Sequence, residues 1–394
     1  AYEIYQCDWS SDVCSSDLAE KEYEEIELLI KNNGTNPSLE SRKRILSQDI
    51  SRFDNLQNSK KLCLNSLYGC LGSRYFRFFE LRMAEAITLE GQFANRWTAN
   101  HINEYFNGIL KTHNDDFVIF MDTDSVGVTM EKIVEKVCPA DYTKEDKIKF
   151  LLQLVGKKIQ PQVDLFCTQL KEYTNSYKDA ISYKLEKICS SGVFVAKKRY
   201  ALNVYSNEGV VYAEPKVKVT GLDIIKSSSP YLVRNALKHC VKLVLDEKKE
   251  DFVEYIEKFK ETFYSSKVEQ ISFPRGVNGL GKYIDSVMLY KKSTPIHVRG
   301  SLVYNKCLMD NKLDYVYEVI KDGDKIKYCY LSLPNPTKEN VLSFPEKLPK
   351  ELDLNRFVDY DLMWNKTFLE PLKPITNIIG WDTERKNSID DFYN

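Results

Sequence analysis

Apolar residues follow two periods along this chain, and the change from one to the other marks its elements. Helical spacing runs through Ala19–Lys31, Ser38–Leu71 and Met83–Leu110, where Ala84, Ile87, Gly91, Ala94 and Trp97 line one face. The cluster Asn32-Asn33-Gly34-Thr35-Asn36-Pro37 divides the first two stretches, so the pattern predicts a helical hairpin with Ser38 as N-cap of its second arm. Lys144–Tyr173 is helical by period, and so is Tyr231–Phe263, after a break at Ser227-Ser228-Ser229-Pro230. Alternation with period two occupies Lys184–Val195 and Lys197–Tyr212, with Asn207-Glu208-Gly209 as a turn. The stretch Phe117–Val128 places two β-branched and aromatic runs around a short acidic step, which predicts a strand, a tight turn and a returning strand. Lys282 onward is mixed, broken at Pro295, Gly300, Pro334, Pro336 and Pro345. The sum is an α+β chain.

The acidic step carries candidate chemistry. Asp122 and Asp124 stand two residues apart, and on one strand they would share a face. Two neighbouring carboxylates suit a hard cation such as Mg²⁺, which takes oxygen ligands and shares them with substrate phosphates. An Asx-rich turn with solvated acids is the alternative. Upstream, Lys61, Asn65 and Tyr68 recur at i, i+4 and i+7 on one helix face. A Lys can hold a phosphate, and Tyr beside Gly69 offers a flat surface to a base or sugar, while a solvated helix face explains the same residues. The run Lys197-Lys198-Arg199-Tyr200 suits contact with a nucleic-acid backbone, or protects an exposed edge strand.

Composition narrows the class. A chain of 394 residues can bury a large core and accommodate two or three domains. With 56 basic against 57 acidic residues, charge neither supports nor excludes nucleic acid. Ten Cys lack any paired metal spacing, the closest pairs being Cys7 with Cys14 and Cys63 with Cys70, so reduced thiols are expected. No apolar run spans a bilayer and no signal peptide opens the chain, which predicts a soluble intracellular protein without a membrane partner. Trp9–Leu18, reading WSSDVCSSDL, matches neither period; residues 1–18 read as an assembly artefact or truncation scar, with a flexible Ser/Asp-rich arm as alternative.

Taken together, K-x-x-x-N-S-x-Y-G at Lys61–Gly69 and D-T-D-S at Asp122–Ser125 resemble the motif pair of family B DNA polymerases, in the expected order. Lys197–Tyr200 is similar to that family's third conserved element, and Thr294–Gly300, reading TPIHVRG, resembles its T-even phage branch. The resemblance covers the chain from about Ser51 onward. It implies a polymerase right hand: helical fingers hairpin over 19–72, antiparallel palm sheet with helices over 73–226, mostly helical thumb over 227–380 and a clamp-binding tail over 381–394.

It also implies roles. Lys61 would contact the triphosphate of an incoming dNTP, with Asn65 and Tyr68 lining the nascent base-pair pocket. Asp124 would be a catalytic metal ligand and Asp122 its neighbour in a two-Mg²⁺ nucleotidyl transfer. Ser125, Lys197, Lys198, Arg199, Tyr200, His297 and Arg299 would contact primer–template DNA, and Glu186 would be a further palm carboxylate. Ile389, Phe392 and Tyr393 would anchor a sliding clamp through a short amphipathic segment, where a frayed tail is the alternative. The implied setting is phage replication in the cytoplasm of an infected bacterium. One departure stands out: nothing matches the family's upstream acidic motif, D-x-x-S-L-Y-P. The chain is therefore expected to be a C-terminal polymerase fragment, incomplete at the N-terminus and unable to polymerise alone. The alternatives are a non-catalytic DNA- or clamp-binding remnant and, leaving the other motifs unexplained, an unrelated Mg²⁺ hydrolase.

Overall fold

A computed structural model describes residues 19, 22–23, 25–30, 36–139, 141–285 and 287–384. Residues 1–18, most of the predicted turn over 32–37 and the tail with Ile389, Phe392 and Tyr393 lie outside the described residues. The chain divides into two compact units. One holds the described residues up to Thr143 together with Lys149–Lys184; the other holds Lys144–Ile148 and the residues from Leu185 onward.

The first unit opens on α1 (Pro37–Leu71), whose N-cap is Asn36 rather than the expected Ser38. Asn36 Oδ1 accepts from the Ser38 amide at 3.0 Å, and Pro37 takes the first helical position, where a missing N–H costs nothing. Leu46 of α1 packs with Ile26 and Ala19 of the preceding helical residues, flanked by Arg42–Glu22 and Lys43–Glu27 ion pairs. The predicted pair of packed helices is present on that side. Helix α2 (Leu81–Leu110) buries Ala84, Ala94, Thr98, Ala99, Ile102 and Phe106, one stripe at helical spacing. Its C-terminal half packs on the hairpin of β1 (Val118–Asp122) and β2 (Ser125–Val128) and on α3 (Gln160–Thr174). Phe106 meets Phe117 edge-to-face at 5.4 Å, and Trp97 Nε1 donates to the Phe166 carbonyl of α3 at 2.9 Å.

The second unit contains an antiparallel sheet of β3 (Lys187–Ala196), β4 (Arg199–Asn207) and β5 (Val210–Thr220), in that order. Its buried side faces α4 (Tyr231–Leu245), which in turn packs on α5 (Lys249–Ser265). A second antiparallel sheet places β7 (Lys325–Tyr330) between β6 (Phe273–Gly276) and β8 (Val341–Phe344). Helix α6 (Ile296–Asp310) lies against β8. The approach is close: a β-carbon at Gly300 would stand 2.5 Å from Ser343 Oγ and 2.8 Å from its amide nitrogen. That contact accounts for the glycine of the TPIHVRG phrase without reference to a ligand.

Candidate polymerase site

The acidic hairpin forms because apolar runs on both sides pair across a two-residue loop. Asp122 pairs with Ser125, and Thr123 and Asp124 make the turn. Asp124 is therefore not a second position on the strand, and the shared-face argument does not apply to it; the two acids stand on either side of Thr123 in the turn. Thr123 adopts φ 54°, a left-handed conformation that a β-branched residue takes only under constraint. The Asp124 amide donates to the Asp122 carbonyl at 2.6 Å, closing a three-residue turn. Ser125 Oγ donates to the same carbonyl at 3.0 Å, and Thr123 Oγ1 donates to Asp122 Oδ1 at 3.0 Å. Asp124 is exposed and Asp122 partly so.

This donor set is made of hard oxygens at a fixed turn, which fits Mg²⁺, an ion that keeps several waters and often takes only one or two protein carboxylates. Among the described residues no group of three or more His, Cys, Asp or Glu comes together. The pair thus fits part of a metal site, with remaining positions for water, substrate or another carboxylate.

Helix α2 holds the hairpin through asparagines that the sequence reading passed over. Asn103 Oδ1 accepts from the Phe117 amide at 2.9 Å, ahead of β1. Asn107 both donates to the Asp115 carbonyl (2.9 Å) and accepts from the Asp115 amide (3.0 Å). Beyond β1, Asn95 Nδ2 donates to the Thr123 carbonyl at 3.1 Å. Their spacing of eight and four residues was the available signal: polar side chains recurring on the buried stripe of a helix.

Lys61, Asn65 and Tyr68 lie on the C-terminal half of α1, all exposed, at the spacing that puts them on one face. Lys197 and Lys198 form the two-residue loop of the β3–β4 hairpin, and Arg199 and Tyr200 begin β4. The strand expected to begin at Lys197 begins at Arg199, and its first two expected residues are the turn. Tyr200 faces Phe194 across the sheet at 5.6 Å between ring centres. These four residues belong to the second unit, whereas Asp122 and Asp124 belong to the first. Glu186 pairs with Lys187, and its carbonyl accepts from the Glu208 amide at 2.6 Å.

His297 and Arg299 sit in the first turn of α6. His297 is partly buried beside Tyr328, and burial with the Arg275 charge holds its imidazole below the ordinary pKa. Its carbonyl accepts from Ser301 Oγ and Ser343 Oγ, each at 2.8 Å. Arg299 Nη2 donates to Asn340 Oδ1 at 2.5 Å, and its guanidinium lies 5.8 Å from the centre of the Tyr290 ring. Tyr290 in turn donates to Glu339 at 2.6 Å. Arg299 is thus a cross-brace within its own unit.

None of the helices among the described residues is long and apolar enough to cross a membrane. The family model for DNA polymerase family B matches residues 40–138 and 150–364. The DNA-directed DNA polymerase of Enterobacteria phage T4 is 34% identical over 348 residues, covering 85% of this chain and 38% of the relative. The same enzyme of Escherichia phage RB69 is 34% identical over 351 residues, covering 86% of this chain and again 38% of the relative. The DNA polymerase alpha catalytic subunit of Trypanosoma brucei brucei is 26% identical over 284 residues, covering 71% of this chain and 18% of the relative. The chain thus spans about two fifths of the phage polymerases that it matches. Two motifs in order, an acidic hairpin that carries one of them and a match over most of the length place it: the chain belongs to DNA polymerase family B, beside its T-even phage members.

Proposed function

We propose that this chain supplies the C-terminal part of a phage replicative DNA polymerase, one that extends a primer 3′-hydroxyl with dNTPs along a template. The observation that carries the reading is the Asp122–Asp124 turn, two carboxylates held at the tip of a hairpin in a family B chain. Asp124, the more exposed, would bind Mg²⁺ directly, with Asp122 completing the protein's share of oxygen ligands. Bound there, Mg²⁺ would lower the pKa of the primer hydroxyl and neutralise charge on the transferring phosphoryl group. The protein's remaining work is positioning. Lys61 would hold the triphosphate as a point charge, and Tyr68 and Asn65 would bound the base pair from an exposed helix face.

Ser125, Lys197, Lys198, Arg199 and Tyr200 would follow the DNA backbone without reading sequence, with His297 and Arg299 nearer the second sheet. In this reading α1 belongs to the fingers, the two hairpin sheets to the palm and the helices after Ser227 to the thumb of a right hand. The tail carrying Ile389, Phe392 and Tyr393 would engage a sliding clamp, and the work would be done in the cytoplasm of an infected bacterium. Because the described carboxylates form a pair rather than a full ligand set, extension is expected to need a further acidic ligand.

The test uses the chain alone and the chain fused to the N-terminal remainder of a phage relative. With Mg²⁺, the fusion should extend a primer and the chain alone should not. Asp124→Ala in the fusion should abolish extension while leaving primer–template binding intact. Robust extension by the unfused chain would overturn the expectation of a partial centre. Surviving extension in the Asp124→Ala fusion would remove that carboxylate from the metal site. A fusion that binds DNA but never extends it would favour a binding remnant.

A further inference from the structure

Asn95 sits in the middle of α2, its side chain 6% exposed among Ala94, Thr98 and Ala99. A buried amide in an apolar stripe is costly unless its donors and acceptor are satisfied. Here both ends are used. Nδ2 donates to the Thr123 carbonyl at 3.1 Å, and Oδ1 accepts from the Tyr183 hydroxyl at 2.5 Å. The partners dictate the orientation of the amide, because a main-chain carbonyl can only accept and therefore needs the NH₂ end. Tyr183 is anchored in turn: its carbonyl accepts from Gln160 Nε2 of α3 at 2.7 Å, and burial pushes its phenol pKa up, so the hydroxyl remains a donor.

Thr123 is the residue between Asp122 and Asp124, and its left-handed backbone is the strained point of the turn. A β-branched residue holds that conformation only if its surroundings over-determine it. Of the two main-chain carbonyls between these side chains, that of Asp122 is taken by the Asp124 amide and Ser125 Oγ, and the hydrogen bond from Asn95 falls on the other, that of Thr123. The neighbouring asparagines Asn103 and Asn107 grip the main chain ahead of β1, so α2 clamps the strand at both ends.

We infer that Asn95, braced by the Tyr183 hydroxyl, is a positioning residue that fixes the Asp122–Asp124 turn in the geometry that receives the divalent cation. The inference rests on the metal reading of that carboxylate pair given above. Asn95 touches neither carboxylate and neither reacting group; it acts through the Thr123 carbonyl.

The experiment uses Mn²⁺ as probe, titrated into the chain and followed by its paramagnetic resonance signal, with hydrogen exchange of the 118–128 peptide on the same samples. Asn95→Leu keeps the branched shape of the side chain, with somewhat more bulk, and removes both hydrogen bonds; Tyr183→Phe removes only the brace. Asn95→Leu should weaken Mn²⁺ binding about fivefold, the effect of one net hydrogen bond, and speed exchange at the turn amides while leaving α3 protected. Tyr183→Phe should shift both readouts in the same direction by less. A purely structural role would lower the unfolding temperature of Asn95→Leu and leave Mn²⁺ affinity and turn exchange, read well below that temperature, as in the parent. That result would overturn the inference. Should Asn95→Leu fail to fold, Tyr183→Phe decides on the same two readouts. A parent chain whose Mn²⁺ uptake is absent, or is unaffected by Asp124→Ala, would instead overturn the metal reading; the exchange measurement then still decides whether Asn95 holds the turn.

Discussion

The main-chain carbonyl of Lys198 occupies the space where a side chain at residue 221 would stand, so that only Gly221 lets the β3–β4 loop close on the end of β5. Gly221 also has φ 64°. Both reasons act against any side chain. Gly221→Ala is expected to cost about 1–2 kcal/mol for the left-handed conformation, and overpacking against fixed backbone adds roughly 1–3 kcal/mol. Urea unfolding of the two proteins measures the sum, and a loss below about 1 kcal/mol would show that the loop moves aside at little cost.

Lys198 itself holds φ 60° in a loop that Asn or Gly would occupy more easily. Its presence there despite the conformational cost is what a role in binding would explain. Lys198→Gly should leave stability within about 1 kcal/mol of the parent, because relief of the left-handed strain offsets the added freedom of the unfolded chain. Binding to primer–template should weaken, and the slope of log K against log salt should fall by roughly one if Lys198 neutralises one phosphate. An unchanged slope would leave Lys198 as a loop residue only.

His297 gives a pH prediction. Its folded pKa lies below the ordinary value of 6.5 because burial and the Arg275 charge both disfavour the imidazolium. The unfolded chain therefore takes up its proton at about pH 6.5, and the native state only at a lower pH. Stability contributed by this group is fully present above pH 6.5 and is lost as pH falls through 6.5 toward the folded pKa. Denaturant unfolding at pH 7.5 and 5.5 should show that loss, and His297→Gln should reduce it. DNA binding should gain less near pH 6.5 than an ordinary imidazole would give, since the native state holds His297 toward its neutral form; a full gain there would mean that DNA draws the proton on.

Much of this organisation was legible in the residues. The acidic hairpin and α2 follow from apolar period, because each buries residues against its neighbours, and the Glu208–Gly209 turn follows from its turn residues, whereas α1 is helical by period yet buries only Leu46. The turn at Lys197–Lys198 was only partly so: the alternation breaks at Ala196, but Lys197 reads as the start of the next strand and Lys198 does not announce a left-handed position. The N-cap fell at Asn36, where the Asx acceptor and Pro37 agree, rather than at Ser38. Least legible were Asn95, Asn103 and Asn107. Their partners are main-chain groups of a distant strand, and a pairing with backbone leaves no complementary side chain in the sequence to find.

Asn305 presents the same device in the second unit and offers a clean measurement of its worth. From α6 its amide donates to the Ile320 carbonyl and accepts from the Ile320 amide, both at 2.9 Å and both buried. The side chain thus acts as a strand partner for one residue of the segment leading to β7. Asn305→Leu matches it in branched shape but leaves a buried N–H and a buried C=O without partners, each costing about 1–3 kcal/mol. Asn305→Asp restores the acceptor for the N–H while setting a carboxylate oxygen against the carbonyl, so it should be no better than the leucine at neutral pH. Lowering the pH should then rescue the aspartate variant, because a protonated carboxyl can donate where a carboxylate cannot. Rescue on acidification confined to Asn305→Asp would identify the Ile320 carbonyl as the group that needs the donor; equal behaviour of both variants across pH would mean that the segment around Ile320 finds other partners.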